Sequence, residues 1–293
     1  MVSSKPERRP AQRAAELDEL VAAALREDLG GEGDGTDVTT RLVVDADLRG
    51  EARVVAKSGG VLSGSDVAAR VFQMVRPPCD YVALMPDGAR MEPGDEAARV
   101  VGPLASILTA ERTALNFLQR LSGIATITRR YADALAGYPG VTLLDTRKTT
   151  PGLRFLERAA VRAGGGHNHR DGLWDAILIK DNHVAAAGGV TEAIKRARRA
   201  RMPVEVEVDT LEQLGEALGA AAEMVLLDNM SPDLMRRAVE MTAGRARLEA
   251  SGGMTLDGAV AAAKVGVDRI SVGALTHSAP ALDLSLEVTK TWR

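Results

Sequence analysis

Positively charged side chains recur in this sequence just past short apolar runs. Arg147 and Lys148 follow the run at 141–144, and Lys180 ends the run at 176–179. His169 and Arg170 follow the triplet Gly164-Gly165-Gly166, and Arg112 sits in the helical stretch Glu111-Arg112-Thr113. Arginine offers a planar fork of donors that suits carboxylates and phosphates, and lysine adds a mobile point charge. The ordinary reading of any single Arg or Lys is a solvated surface cation. Placement just beyond buried-type strands shifts the balance, and together these residues describe a pocket for a strongly anionic small molecule.

Two acidic residues also stand at strand ends, Glu207 and Asp228. Their oxygens suit Mg2+, held directly or through water, or the hydroxyls of a ribose. The alternative is a salt bridge to a neighbouring strand-end Lys or Arg. In the alternation Val204-Glu205-Val206-Glu207, only one of the two carboxylates is expected to face the interior. Late in the chain, Ser251-Gly252-Gly253 precedes a helix starting near Thr255, and Ser271-Val272-Gly273 precedes Leu275. Bare backbone N–H groups at a helix start make a phosphate cradle, commonly in the loops after a barrel's last two strands. The histidines at 167, 169, 183 and 277 lack zinc spacing and partner cysteines, which argues against a zinc site. Neither a nucleophile elbow nor a Walker motif is present. A Schiff-base role for Lys148 or Lys180 stays open on these grounds.

The elements that must position these groups follow from pattern. Leu17, Leu20, Val21, Ala24 and Leu25 form a helical stripe over residues 14–27, broken by the glycines of 30–35. Strand-like segments at 51–57, 81–85 and 95–101 are punctuated by Pro86-Asp87-Gly88 and Pro93-Gly94-Asp95. A helical stretch at 106–135 leads into a repeating rhythm. Short apolar runs at 141–144, 176–179, 204–208, 224–227, 248–250 and 270–272 alternate with helix starts marked by Thr191, Thr210, Ser231-Pro232 and Thr255. Strand–helix alternation predicts a parallel α/β sheet. The polar signatures ending each run favour a barrel, whose strand ends share one mouth, over an open sheet.

Bulk properties bound the rest. A chain of 293 residues fits one barrel-sized domain plus a smaller partner. Net charge of −3 gives no global argument for nucleic acid or an anionic membrane surface. The single cysteine, Cys79, rules out an intrachain disulfide. Residues 1–13 carry Arg8, Arg9 and Arg13 without an apolar run, so they read as a flexible tail rather than a signal or anchor. No stretch reaches the roughly 18 apolar residues of a membrane span. The expectation is a cytoplasmic protein.

Taken in order, the motifs resemble the quinolinate phosphoribosyltransferase family. They are Glu-Arg-Thr-Ala-Leu-Asn-Phe-Leu (111–118), Leu-Ser-Gly-Ile-Ala-Thr (121–126) and Asp-Thr-Arg-Lys-Thr-Thr-Pro-Gly-Leu-Arg (145–154). Gly-Gly-Gly-His-Asn-His-Arg-Asp-Gly-Leu (164–173), Ile-Lys-Asp-Asn-His (179–183), Val-Glu-Val-Glu-Val (204–208), Leu-Leu-Asp-Asn (226–229) and Ala-Ser-Gly-Gly (250–253) complete the set. The likeness runs from about residue 25 to 284. It implies a smaller N-terminal α/β sandwich domain over 14–115, joined by 280–293, and an incomplete seven-stranded α/β barrel over 116–279, although only six strands are legible.

The resemblance also implies a homodimer with a shared active site, to which Arg112 comes from the partner subunit. Arg147, Lys148, His169, Arg170 and Lys180 would bind quinolinate and the phosphates of phosphoribosyl pyrophosphate. Glu207 and Asp228 would serve the ribose and Mg2+, and Ser251, Gly252, Gly253 and Gly273 the 5′-phosphate. Lys148, Glu207 and Asp228 are the expected catalytic residues. The stretch Gly31-Glu32-Gly33 before Asp34 is longer than the family's usual short turn. Rival readings are a related transferase for another pyridine or pyrimidine acid, a Schiff-base lyase, and a silent binder of phosphorylated metabolites.

Overall fold

A computed structural model describes residues 10–31 and 37–293. The elements run in chain order as α1 (Pro10–Leu29), α2 (Val38–Val43), β1 (Arg49–Ala56), β2 (Gly60–Val61), α3 (Ser65–Met74), β3 (Asp80–Ala83), β4 (Arg90–Met91), β5 (Glu96–Pro103) and α4 (Leu104–Ala134). There follow β6 (Thr142–Leu144), α5 (Arg154–Ala163), β7 (Ile177–Ile179), α6 (Asp181–Ala187), α7 (Val190–Ala197), β8 (Val204–Val208), α8 (Leu211–Gly219) and β9 (Met224–Asp228). The chain ends with α9 (Pro232–Thr242), β10 (Arg247–Ser251), α10 (Leu256–Val265), β11 (Arg269–Ser271), α11 (Ala274–His277) and β12 (Leu284–Trp292). Two compact units result. One holds residues up to 126 with 155–164 and 279–293, the other 127–154 and 165–278.

The first unit is built on an antiparallel sheet in the order β12-β1-β5-β3. Its last strand comes from the far end of the chain, since Ala56 pairs with Leu284 and Arg49 with Trp292. The part of α4 that belongs to this unit buries Ile107, Ala110, Ala114, Leu118, Leu121 and Ala125, a stripe at three- and four-residue spacing. Each buried Leu or Ile contributes about 1.5–3 kcal/mol. Glu157 of α5 is fully buried and pairs with the Arg120 guanidinium at 2.8 Å. Gly123 has a steric reason to be glycine, because a Cβ there would stand 2.0 Å from the Pro280 carbonyl oxygen.

The second unit carries a six-stranded parallel sheet in the order β6-β11-β10-β9-β8-β7. Beside β6 lies one further parallel bridge, Leu144 to His167, which is a single residue pair rather than a strand. Its two faces differ in chemistry. Val206, Val208, Val225, Leu227, Leu248, Ala250 and Ile270 are buried on one. Glu205, Glu207, Met224, Asp228, Glu249, Ser251 and Arg269 occupy the other, by the two-residue period of a strand and the cross-strand register. Glu205 and Glu207 therefore share a face. The expectation that only one of them turns inward fails, because residues two apart project to the same side.

Most of the helix starts hold as read. Thr210 and Gln213 form a reciprocal capping box on α8, Ser231 caps α9 ahead of Pro232, and Thr255 caps α10. Thr191 does not cap α7, which begins at Val190 behind Gly189 at φ 135°. Helix α1 spans Pro10–Leu29, so residues 10–13 of the stretch read as a tail are helical. The long turn before Asp34 lies mostly outside the described residues. Among the described residues, no helix is long and apolar enough to cross a membrane.

Gly123→Ala is expected to destabilise the protein by about 3 kcal/mol or more, since the obstructing atom is backbone and cannot rotate away. Denaturant unfolding of this variant measures it, and a loss below about 1 kcal/mol would contradict the packing described.

Candidate active site

Parallel strands all end on one side of their sheet. The polar signatures of the second unit therefore line a single edge, with Arg147 and Lys148 after β6, Gly273 after β11, then Ser251 ending β10 with Gly252 and Gly253 after it, Asp228 on β9, Glu207 on β8 and Lys180 after β7. Neighbours along that edge touch. Lys180 pairs with Glu207, whose side chain is 11% exposed. Asp228 stands opposite Ser251 in the β9–β10 register and accepts from Asn229 Nδ2 at 2.6 Å. Thr276 Oγ1 donates to the Lys148 carbonyl at 2.8 Å. A Cβ on Gly273 would meet Lys148 Cδ at 3.2 Å and His277 Nε2 at 3.1 Å.

The glycine at 252 is a requirement of this packing. Its φ is +94°, and a Cβ would fall 2.3 Å from Asn229 Oδ1 and 2.7 Å from the Asn229 backbone nitrogen. The Asn229 N–H in turn donates to the Ser251 carbonyl at 3.0 Å, locking the β9 and β10 ends together. Gly253, at φ +50°, has open space where a Cβ would stand. The loop thus leaves room for a ligand group close to the backbone.

His169 and Arg170 are placed by a loop with its own supports. Asp145, fully buried, accepts from Asn168 Nδ2 at 2.6 Å and from the His169 backbone N–H at 2.7 Å. Asp175 accepts the N–H groups of Asp171 and Gly172 at 2.8 and 2.9 Å. Arg170 is 8% exposed and donates to the Ala176 carbonyl at 3.2 Å. Burial holds its pKa below the usual arginine value, and the nearby Arg147 adds to this. Arg147 Nε is buried with no hydrogen-bond partner among the described residues. His183, capping α6 by accepting the Lys180 N–H at 3.0 Å, has a local structural task.

Two residues that sequence reasoning left off the site meet His169, and a third, Arg269, meets both of them. Its Nε2 lies 3.1 Å from Glu205 and 3.3 Å from Glu249, and Arg269 Nε is 3.3 Å from Glu249. The alternation around Glu205 was a visible signal, whereas Glu249 and Arg269 sit in short strands with no motif to mark them. Burial opposes charge on the ring, yet pairing with Glu205 and Glu249 overcomes it and raises the pKa from 6.5 to about 9. Nδ1 faces the Arg170 backbone nitrogen at 2.7 Å, a contact suited to a neutral ring. The carboxylates decide the matter, because charge-assisted contacts are about twice as strong as neutral ones. The two glutamates thus favour the cationic form of the ring.

Metal chemistry divides between two places. His169, Glu205 and Glu249 bring ligand atoms within 4.8 Å of one another, but the Arg269 guanidinium already supplies positive charge there. Glu207 and Asp228, less buried and offering only hard oxygens, fit Mg2+ better. Arg112 is exposed on α4 in the first unit. A cavity lined by Glu223, Arg245, Arg247 and Asp268 adjoins the opposite, N-terminal ends of β9, β10 and β11, and contains none of the expected residues.

Two linked predictions follow from this geometry. A folded-state pKa raised to about 9 gives stabilisation that is complete below about 6.5 and lost as pH rises through 9, worth on the order of 3 kcal/mol. Unfolding free energies at pH 6 and pH 10 should show this loss in the wild type and not in His169→Asn; equal losses would contradict it. Gly252→Ala is expected to cost about 1–3 kcal/mol in the same assay, and a neutral effect would refute the clash with Asn229.

Comparison with known proteins identifies the family. Residues 37–122 match the family model for the quinolinate phosphoribosyl transferase N-terminal domain, and 124–287 that for the C-terminal domain. The chain is 44% identical over 258 residues to a probable nicotinate-nucleotide pyrophosphorylase [carboxylating] of Bacillus subtilis, covering 87% of this chain and 89% of that one. It is 44% identical to the Mycobacterium leprae nicotinate-nucleotide pyrophosphorylase [carboxylating], with 92% and 96% covered. The solved Francisella tularensis nicotinate-nucleotide pyrophosphorylase superposes with a TM-score of 0.89 at 39% identity, covering 98% of this chain and all of that one. With both domain models matched in order and relatives this similar over most of its length, the chain belongs to the quinolinate phosphoribosyltransferase family.

Proposed function

We propose that this protein transfers the phosphoribosyl group of phosphoribosyl pyrophosphate to quinolinate with loss of carbon dioxide. The products are nicotinate mononucleotide and pyrophosphate, in the de novo synthesis of NAD. Family membership supports the reaction, and the observation that carries it to this chain is the strand edge itself. Arg147, Lys148, Arg170 and Lys180 stand there with His169, whose pKa is raised by Glu205 and Glu249, and the buried Arg147 Nε finds no partner among the described residues. Two polyanionic reactants would supply an acceptor for that nitrogen and counter-charge for the cluster.

The quinolinate nitrogen attacks the anomeric carbon as pyrophosphate leaves, through an oxocarbenium-like transition state. That step needs no general base. It needs the two reactants held in line and the leaving group's charge neutralised. Arg147, His169, Arg170 and Lys180 would hold the two carboxylates of quinolinate. Lys148 would meet donor phosphate, with Ser251, Gly252, Gly253 and Gly273 around the 5′-phosphate. Glu207 and Asp228 would orient the ribose and hold Mg2+, directly or through water; bound there, Mg2+ would neutralise charge on the pyrophosphate. Lys180 balances Glu207 in its absence. The ring nitrogen, cationic once ribosylated, then stabilises the electron pair left at C2 as that carboxylate departs as carbon dioxide, and a proton taken up at C2 from water completes nicotinate mononucleotide.

We also propose an incomplete barrel of seven strands, a homodimer and a cytoplasmic location. The barrel is supported by side chains of β8 and β10 meeting His169, which follows the Leu144–His167 bridge beside β6, and by Arg269 of β11 reaching both glutamates. Dimerisation is supported by exposed apolar residues on α2, with Val38, Leu42 and Val43 at 56%, 76% and 77% exposure. The shared site, with Arg112 from the partner subunit, rests on the resemblance and on the exposure of Arg112. The cytoplasmic location rests on the single, buried thiol of Cys79.

Nicotinate mononucleotide formation from quinolinate, phosphoribosyl pyrophosphate and Mg2+ tests the reaction, and equal turnover of nicotinate would point to a related transferase instead. Lys148→Ala is expected to reduce activity at least about a hundredfold in a folded protein; an active variant would remove it from the catalytic residues. Mixing inactive Lys148→Ala with inactive Arg112→Ala should restore roughly a quarter of wild-type activity through mixed dimers with one intact site. No recovery on mixing would contradict the shared site.

A further inference from the structure

Beneath the strand-end cations lies a charged cluster with no part in the reaction steps above. Glu205 of β8, Glu249 of β10 and Arg269 of β11 have side chains only 3%, 1% and 17% exposed. Arg269 reaches both carboxylates, at 3.3 Å from Glu249 and 3.9 Å from Glu205. Both glutamates reach the same nitrogen of His169. Burying such groups is costly, and well-packed apolar residues of similar volume often serve stability as well or better. Stability alone is therefore a poor reason for choosing carboxylates over apolar residues at this depth. What they do accomplish is geometric: they grip one edge of an imidazole whose neighbour in sequence is the buried Arg170.

We propose that Glu205 and Glu249, balanced by Arg269, are positioning residues for the quinolinate subsite. They hold the His169 ring, and through the adjoining backbone Arg170, in the arrangement that receives a dicarboxylate. The inference rests on the transferase reading and names groups that touch neither substrate. Two other supports act on the same short loop: Asp145, at the end of β6, takes the His169 backbone N–H, and Asp175 ties down the residues after Arg170. The charged groups around the ring are thus Glu205, Glu249 and Arg269 from three strands, Asp145 behind it, and Arg170 with Arg147 beside it. The glutamates address the imidazole at Nε2, across the ring from the Arg170 N–H at Nδ1. Their charge also favours the cationic ring, so their loss affects both its orientation and its protonation.

Steady-state kinetics of Glu249→Gln, an isosteric change that removes one charge, test the proposal. KM for quinolinate is expected to rise at least about tenfold, while KM for phosphoribosyl pyrophosphate stays within about twofold. The alkaline limit of kcat/KM for quinolinate should move to lower pH than in the wild type. Glu205→Gln should show the same split and stands in if Glu249→Gln does not fold. Arg269→Lys, keeping the positive charge, should stay nearer the wild type than Arg269→Met. An unchanged KM for quinolinate with an unchanged pH profile would overturn the inference, as would equal losses for both substrates. Absence of quinolinate turnover in the wild type would instead defeat the transferase reading.

Discussion

Like charges must be held together before their ligand arrives, and this constraint governs the second unit. Arg147, Lys148, Arg170 and Lys180 occupy one edge of one sheet, and their mutual repulsion opposes the folded state. The repulsion is visible at Arg170, whose pKa is depressed by burial and further by Arg147. Carboxylates beneath and beside the cations offset it. Glu207 takes Lys180, while Glu205 and Glu249 take His169. The site is thus a layered electrostatic structure, with fixed negative charge below and available positive charge above. Anionic reactants complete the outer layer.

The same arrangement explains why the sheet has two unlike faces. Aliphatic residues on one side, such as Val206, Leu227 and Ile270, give the burial that stabilises the unit. The opposite face is free to carry Glu205, Glu249 and Arg269 because they neutralise one another at short range. Strand alternation assigns the two tasks to alternate residues, so a single-residue slip in register would exchange core and site. The caps on α8, α9 and α10 fix where each helix begins, and hence how far each strand-end loop extends.

Much of this was legible in the sequence where local chemistry acts alone. Thr210, Ser231 and Thr255 cap helices because a hydroxyl satisfies the same orphan N–H groups in any context. The six apolar runs became the six parallel strands because period and length are local properties. Other features depend on partners distant in the chain. Strand β12 exists because β1 offers it an edge, and α5 turns Glu157 inward because Arg120 meets it there. Within the site, cations at strand ends could be found by type and position. Glu249 and Arg269 could not, since a charged residue in a short strand reads as exposed until its buried counter-ions are known. The misplaced start of α7 has a similar cause: Gly189 adopts a positive φ that pattern alone does not reveal. The relation between Glu205 and Glu207 was within reach, because period-two geometry places both on one face.

The most direct test of the account is the position of a bound dicarboxylate. Benzene-1,2-dicarboxylate has the shape and charge of quinolinate and lacks the reacting nitrogen, so it can be soaked into crystals without turnover. The account predicts its two carboxylates within hydrogen-bonding reach of Arg147, Arg170 and Lys180, above His169. Density for the ligand at the opposite ends of the strands, beside Arg245 and Arg247, with the Arg147 edge unoccupied at saturation, would contradict it.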